Sequence, residues 1–261
     1  MVKGLDKFKE AFANFTDNYV VIGGTACDIV LQNTNMRPRA TDDIDMILVV
    51  EKITPEFASA LWDFIIQGGY HNKERKRGEG EEPVPELYRF ENPKEGYPIK
   101  IELLSRHSDL LDNPSGFHLE PIPLGEEISS LSAIMLDNDY YDLTIQNSLI
   151  DENLRIASPV ALICLKAKAY LNLLADKEAG KQVNTKDIKK HKTDVLKLIA
   201  TASIPEPVIV PDSVLETIQQ YADNIMKSLP SQSLEDALDS TSDDIATFIK
   251  ILTESFTTSK S

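Results

Sequence analysis

Hydrophobic residues in the first quarter of the chain switch from a helical to a strand period. Apolar residues at helical spacing predict an N-terminal helix whose buried stripe is Leu5, Phe8, Phe12 and Phe15. The apolar run Tyr19–Ile22 predicts a buried strand that leads into Gly23 and Gly24. A strand–Gly-Gly–helix turn lets backbone N–H groups approach a phosphate closely, and the helix N-terminus adds partial positive charge.

The strand predicted at 43–50 carries two acids on one face. Its apolar side is formed by Ile44, Met46, Leu48 and Val50. Asp43 and Asp45 therefore share the opposite face, about 6–7 Å apart along the strand at ~3.3 Å per residue. Crowding of like charges is normally tolerated where a divalent cation neutralises it.

A third acid lies on a later alternating strand, 98–104. Ile99, Ile101 and Leu103 are expected to face inward, which puts Lys100 and Glu102 on the opposite face. If this strand pairs beside the first acidic strand, three carboxylates converge on one sheet surface. That ligand set would hold one or two Mg²⁺ ions against a triphosphate.

The remaining pattern predicts a mixed sheet with helices, followed by a helical C-terminal region. The segments predicted by their periods and end signals are a helix from Thr54–Pro55 to Gly68–Gly69, an exposed hairpin or loop at 73–86, strands at 87–90, 131–136, 140–146 and 154–157 with a turn at 137–139, helices from Ser158–Pro159 onward including 212–229 and 243–256, a proline-rich joint at 204–207 and a frayed tail at 257–261. The prediction is thus an α/β (α+β) fold, with a core domain at 1–157 and a helical domain at 158–261.

Composition and charge restrict the function further. No apolar run approaches the ~18–20 residues needed to cross a bilayer, and the chain begins with an amphipathic helix, so we expect a cytoplasmic protein without a membrane partner. Cys27 and Cys164 lie in apolar contexts and are interpreted as buried thiols.

The net charge is −15, yet the segment from Lys166 to Lys197 holds nine lysines against four acids. This lysine-rich segment could bind a nucleoside triphosphate or a short RNA end, but not a long duplex. The alternative is that it is simply a solvated helical face.

The ordered motifs resemble the nucleotidyltransferase superfamily, which has the polymerase-β-like fold. The Gly-Gly-Thr-Ala at 23–26 and the Arg-Ala-Thr-Asp-Asp-Ile-Asp at 39–45 are similar to those of the AbiEii/AbiGii group of toxins. Two later motifs belong to the same resemblance, the helix with Lys166 and Lys168 and the run 186–191 with Asp194 beyond it. The match covers roughly residues 19–200.

The resemblance implies a role for each matching residue. Asp43, Asp45 and Glu102 would hold two Mg²⁺ ions, and Asp187 would complete the catalytic set. Nucleotide-binding positions would be Gly23, Gly24, Thr25, Lys166 and Lys186. Three departures from the family pattern stand out: Gly-Gly replaces the usual Gly-Ser, Glu102 replaces an aspartate, and Ala175-Asp176-Lys177 lies where an arginine is expected.

Structural interpretations of the same residues remain open. Asp187 suits the first turn of a helix after an N-cap at Thr185, and His191 packs or bonds to Asp187. Arg37 and Arg39 meet the triphosphate or the acceptor, or form ion pairs with Asp42.

The reaction implied is transfer of a nucleoside monophosphate from an NTP to an acceptor hydroxyl. For the resembling group the acceptor is a tRNA 3′ end and the role is growth arrest, silenced by a cognate antitoxin protein. Two alternatives stay open: a transferase for an aminoglycoside-type small molecule, which the acidic surface would attract, and a non-catalytic nucleotide-binding module.

Overall fold

The secondary structure comes from a computed structural model that describes residues 2–32, 34–36, 41–75, 84–104, 134 and 137–259. The strands are β1 (Tyr19–Ile22), β2 (Asp43–Leu48), β3 (His71–Arg75), β4 (Val84–Glu91), β5 (Lys100–Leu104), β6 (Ser148–Asp151), β7 (Leu154–Ala157), β8 (Val208–Ile209) and β9 (Phe256–Thr257). The α-helices are α1 (Leu5–Phe12), α2 (Gly23–Leu31), α3 (Pro55–Gly68), α4 (Asn138–Gln146), α5 (Pro159–Glu178), α6 (Thr185–Thr201), α7 (Asp212–Lys227), α8 (Gln232–Leu238) and α9 (Ser242–Glu254). A short 3₁₀ turn covers Val50–Lys52.

Seven strands form one mixed sheet in the order β3-β4-β5-β2-β1-β7-β6. At its centre β2 runs antiparallel to β1 and parallel to β5, and β1 runs parallel to β7. The remaining neighbours, β3–β4, β4–β5 and β6–β7, are antiparallel. The predicted mixed α/β class is therefore confirmed.

Aromatic side chains fix α1 and α3 on one face of this sheet. The ring of Phe8 lies 5.8 Å from Tyr19 on β1 and 5.8 Å from Phe64 on α3. Phe12 and Phe57 extend the same cluster, with ring centroids 6.1 Å apart. All five rings are almost fully buried. Tyr19 is directly opposite Leu48 on β2, so by alternation the acids of β2 belong to the other face of the sheet.

The end signals seen in the sequence are confirmed at α3 and α5. The Thr54 hydroxyl accepts a hydrogen bond from the N–H of Phe57 at 3.2 Å, and Gly69 ends the helix with φ of 64°. Ser158 caps α5 in the same way by accepting from the N–H of Ala161. A hydroxyl at the N-cap and a left-handed glycine after the last turn satisfy backbone groups that have no partner inside the helix.

Contacts divide the chain into two compact units. The first holds the described residues of Met1–Asp28, Arg39–Ile128 and Ser148–Ala157, and the second those of Ile29–Pro38, Ser129–Asn147 and Ser158–Ser261. The first unit contains the seven-stranded sheet. Hydrogen bonds connect the helices of the second unit, for example a buried one from the Tyr140 hydroxyl to Thr217 at 2.7 Å and a partly buried one from the Tyr221 hydroxyl to the Lys192 carbonyl at 2.6 Å.

Several predicted elements are wrong. Residues 140–146 lie in helix α4 and not in a strand, because the Asp137 carboxylate accepts from the N–H of Asp139 and starts a helix where a turn was expected. The burial of Tyr140, Tyr141, Leu143 and Thr144 fits a helical stripe. Ile99 precedes β5 and is 47% exposed, although it was expected to face inward.

Other differences are additions to the predicted pattern. Strand β6, which pairs with β7, was not predicted. Helix α8, which lies between α7 and α9 in the sequence, was not predicted either. The tail was expected to be frayed, yet Thr257 pairs with Ile209 in a two-stranded parallel sheet. The predicted hairpin at 73–86 is partly present as β3 and β4, and its middle lies outside the described residues, as does 131–136 apart from Ile134.

Both cysteines are buried, as expected, and no disulfide joins them. Within the part of the chain that the structure describes, no helix combines the length and the apolar character that crossing a bilayer requires.

Candidate active site

The central pairing of the sheet brings two of the predicted acids together. Parallel pairing of β2 with β5 places Asp45 directly opposite Glu102. Side chains that are opposite each other on neighbouring strands project from the same face of the sheet. A hydrogen bond joins the two carboxyl groups. The pairing of β2 with β5, on which the predicted convergence of Asp43, Asp45 and Glu102 depended, is thus present.

Gly23, which directly follows β1, lies against the carboxylate of Asp45. Residue Ile22 at the end of β1 is opposite Asp45, and α2 begins at the next position. Gly23 has φ of 68°, and a β-carbon there would overlap Asp45 Oδ2. Both the backbone conformation and the space therefore call for glycine. The first turn of α2, with its backbone N–H groups, thus begins beside the acidic pair.

Asp43 lies two residues before Asp45 on β2, and its carboxylate contacts a lysine. It is opposite Lys100, whose Nζ is 3.0 Å from Asp43 Oδ2 and 3.4 Å from Glu102 Oε1. The fully buried Thr25 hydroxyl donates to the backbone carbonyl of Asp43. Thr25, predicted to contact phosphate, is thus placed where it joins α2 to the start of β2.

Arg89 on β4 completes the row that contains the acidic pair. The antiparallel pairing of β4 with β5 puts Arg89 opposite Glu102, and its Nε donates to Glu102 Oε1. The sheet face therefore carries Asp45, Glu102 and Arg89 in one row and Asp43, Lys100 and Glu91 in the next, so these two rows together hold four acids and two bases. The bases offset much of the repulsion between the acids.

Burial and neighbouring charge shift the pKa values of Asp45 and Glu102 in opposite directions. Burial, followed by the negative charge and hydrogen bond of Glu102, raises the pKa of Asp45 to about 7. For Glu102, burial acts to raise the pKa, but Lys100, the hydrogen bond from Asp45 and Arg89 outweigh it and lower the pKa. The pair thus holds a proton on Asp45 at mildly acidic pH, which a divalent cation would replace.

The acids of this face are the candidate ligands for the Mg²⁺ ions that the sequence pattern implies. Across the described ranges, no three His, Cys, Asp or Glu side chains are arranged as a metal site. Asp43 and Glu102 instead contact the ammonium of Lys100. Asp45 and Glu102 are nevertheless two carboxylates in mutual contact, and hard oxygen donors of this kind suit Mg²⁺. The chemistry of the acidic pair fits a magnesium ion, with Asp43 as an additional donor nearby.

Lys166, predicted to bind nucleotide, is placed in a buried ion pair of the second unit. Its Nζ is 2.6 Å from Asp194 Oδ2, and the lysine side chain is only 2% exposed. The pair connects α5 with α6, and Asp194 is itself almost fully buried. In this arrangement the ammonium neutralises a carboxylate of the protein.

Lys186 and Asp187 lie in the first turn of α6, also in the second unit. Lys186 is exposed and Asp187 is half-buried. The N-cap is Asn184, whose side chain accepts from the N–H of Lys186, and not Thr185 as predicted; asparagine is an equally good cap. His191 is buried on the same helix. Arg37 and Arg39 lie outside the described residues.

Two basic residues of the site were not assigned a role from the sequence. Alternation along β5 already placed Lys100 on the face of Glu102, and this spacing was the available signal. The sequence contained no comparable signal for Arg89, because its position beside Glu102 depends on the register of β4 against β5. The contact of Gly23 with Asp45 likewise depends on how β1 and β2 pair.

Comparison with known proteins gives little further information. No protein-family model matches the sequence, and no curated protein matches it. A solved structure of an antigenic nucleotidyltransferase-like protein from Paracoccidioides brasiliensis aligns with 90% of this chain and 94% of its own, at 17% sequence identity and a TM-score of 0.40. A likeness at that level carries no functional conclusion.

The close approach of Gly23 to Asp45 predicts an unusually costly substitution. Gly180 has a similar φ of 78°, but a β-carbon added there would have no atom within 4 Å, so it is the matched control. Gly180→Ala should lower the free energy of unfolding by about 1–2 kcal/mol for the backbone conformation alone. Gly23→Ala should cost about 1–3 kcal/mol more, because overpacking adds to the same backbone cost. Urea denaturation measures both, and equal losses would contradict the contact.

The raised pKa of Asp45 predicts a pH-dependent effect of neutralising it. A carboxyl whose folded pKa of about 7 exceeds its ordinary 3.8 contributes stability at low pH and loses it as pH rises through 7. Asp45→Asn is neutral at every pH and should not lose this contribution. Relative to wild type, the variant should therefore gain about 1–3 kcal/mol in free energy of unfolding between pH 4 and pH 8. The measurement is urea denaturation in EDTA, and parallel pH profiles would refute the shift.

The buried pair of Lys166 and Asp194 predicts strong coupling between the two side chains. Removing one partner of a buried ion pair costs about 3–5 kcal/mol, so Lys166→Met should lower the free energy of unfolding by that amount. The double variant Lys166→Met/Asp194→Asn should recover part of the loss, since it removes both charges. A double-mutant cycle measures the coupling. A loss below about 1 kcal/mol for Lys166→Met would indicate an exposed pair instead.

Proposed function

We propose that the chain is a nucleotidyltransferase, which transfers a nucleoside monophosphate from an NTP to an acceptor hydroxyl. The observation that carries the proposal is the contact of the Asp45–Glu102 pair with Gly23 at the start of α2. In this proposal, a divalent cation held by the pair would lie next to a helix N-terminus that begins at two glycines. Positive charge beside backbone N–H groups is what a polyphosphate needs for binding.

Each residue of the sheet face has a proposed part in this reaction. Asp45 and Glu102, with Asp43, would hold Mg²⁺, which when bound neutralises the phosphates and activates the acceptor hydroxyl. Gly23 and Gly24 would let the α2 N–H groups approach the triphosphate. Phosphoryl transfer depends mostly on positioning and charge neutralisation, so a rigid sheet face with fixed carboxylates is suited to it.

Lys186 and Lys166 of the second unit are proposed to contact the nucleotide. The free-energy cost of making each ammonium available to phosphate differs. Lys186 is exposed, so its ammonium can bind phosphate without leaving a buried partner. Lys166 would have to leave Asp194, from which it is separated by 2.6 Å in a buried environment. Lys186, with Asp187 beside it, is therefore the stronger candidate of the two.

The acceptor is proposed to be an RNA 3′ end, such as that of tRNA, in the manner of a toxin restrained by a cognate antitoxin protein. This finer assignment is supported by the motif resemblance and by the lysine-rich segment from Lys166 to Lys197. A cationic small molecule of the aminoglycoside type is the second candidate. The net charge of −15 favours it, because an acidic surface attracts a cation and repels RNA.

The reaction is tested by transfer of label from α-³²P NTPs, each supplied separately with Mg²⁺ and either total tRNA or an aminoglycoside. Wild type should label one acceptor class. Asp43→Ala/Asp45→Ala should lower the rate at least about 100-fold, since loss of charge stabilisation worth several kcal/mol is expected. Asp63→Ala, which removes an exposed acid of the same unit, should keep the wild-type rate.

The acceptor that receives the label decides between the two candidates. Labelled RNA supports the tRNA proposal, and a labelled aminoglycoside supports the small-molecule one. Absence of label on both acceptors with all four nucleotides, from folded protein that binds NTP, would refute transfer and favour a nucleotide-binding module.

A further inference from the structure

Lys100 is located among the acids of the candidate site, on the strand that carries Glu102. Its ammonium is 3.0 Å from Asp43 Oδ2 and 3.4 Å from Glu102 Oε1, so one positive charge bridges acids on two neighbouring strands. The Lys100 side chain is 23% exposed and that of Glu102 is 14% exposed. A cation in this position is shielded from solvent more than one at a typical protein surface.

The sheet itself fixes this position. Lys100 is opposite Asp43, and Glu102 is opposite Asp45, so alternation along β5 directs both side chains to the acidic face. Arg89 holds Glu102 from the far side, on strand β4. Lys100, in contact with both Asp43 and Glu102, is therefore the base that connects the two rows of the site.

We infer that Lys100 is the internal counter-ion of this site, and that a divalent cation must displace its ammonium in order to bind Asp43 and Glu102. The inference rests on the proposed function and concerns how the same acids exchange one cation for another. In the structure the carboxylates are already neutralised by the protein.

Competition between the two cations follows from simple electrostatics. A carboxylate oxygen that contacts an ammonium is less available to a metal, and two positive charges within a few ångströms repel each other. Lys100 would thus weaken metal binding while it stabilises the metal-free protein. As a positioning residue it keeps Asp43 and Glu102 from repelling each other before the metal and nucleotide arrive.

The test measures binding of Mn²⁺, a probe for an oxygen-rich Mg²⁺ site, by electron paramagnetic resonance of the free ion. Lys100→Met should lower the dissociation constant at least roughly tenfold, because a single neighbouring charge shifts a binding equilibrium of a carboxylate by about 10-fold or more. Lys100→Arg keeps the charge and should bind as wild type. Lys181→Met is the matched control, since it removes a lysine from an exposed ion pair with Asp176 and changes the net charge equally.

A second variant shows where the more tightly bound Mn²⁺ lies, and it excludes a change in protein stability as the cause of the tighter binding. Asp43→Asn in the Lys100→Met background should abolish the tightened binding if the ion occupies the acids that Lys100 contacts. A merely structural lysine would lower stability when replaced and would not tighten metal binding. Should Lys100→Met not fold, Lys100→Gln provides the same loss of charge with a polar side chain.

The outcomes separate this inference from the proposed function. Tighter Mn²⁺ binding by Lys100→Met, with Lys181→Met unchanged, supports the counter-ion role. Unchanged or weaker binding by Lys100→Met, while wild type binds Mn²⁺ and transfers label, overturns the inference alone. No Mn²⁺ binding by either protein, together with no label transfer, overturns both.

Discussion

The position of the Asp45 carboxylate is the constraint on which the candidate site depends. Gly23 lies on one side of it and Glu102 on the other, so the turn after β1 and the pairing of β2 with β5 must both be correct. A side chain at position 23 would exclude the carboxylate, and a shift of β5 by one residue would turn Glu102 to the opposite face. The glycine turn, the acids and the helix N-terminus therefore form one structural unit.

Charge compensation explains how one sheet face can carry these acids side by side. Lys100 and Arg89 neutralise Asp43 and Glu102, while Asp45 holds a proton more readily than an ordinary carboxyl because its pKa is raised by burial beside Glu102. The second unit resolves a similar problem differently. There Lys166 and Asp194 form an ion pair away from solvent, with Lys166 Nζ 2.6 Å from Asp194 Oδ2.

The segment 137–146 shows why local sequence signals were sometimes insufficient. Asp-Asn-Asp is typical of a turn, and the β-prone residues after it suggested a strand. The same Asp137 is also an effective N-cap, and the burial of Tyr140 and Thr144 on one helical face favoured the helix. Packing of Tyr140 against Thr217, which is 77 positions away, is information that the local sequence does not contain. Tertiary contacts thus overrode the local preference.

The sequence by itself determined the elements that depend on short-range chemistry. Periodicity and caps specified β1, β2, α3 and the start of α5, and alternation alone placed Asp43 with Asp45 and Lys100 with Glu102. Only the tertiary structure decided which strand lies beside β2, that Arg89 reaches Glu102, that Gly23 touches Asp45 and that Lys166 is buried against Asp194. The physical reason is that alternation is a property of one strand, whereas strand order and register depend on pairing between residues far apart in the chain.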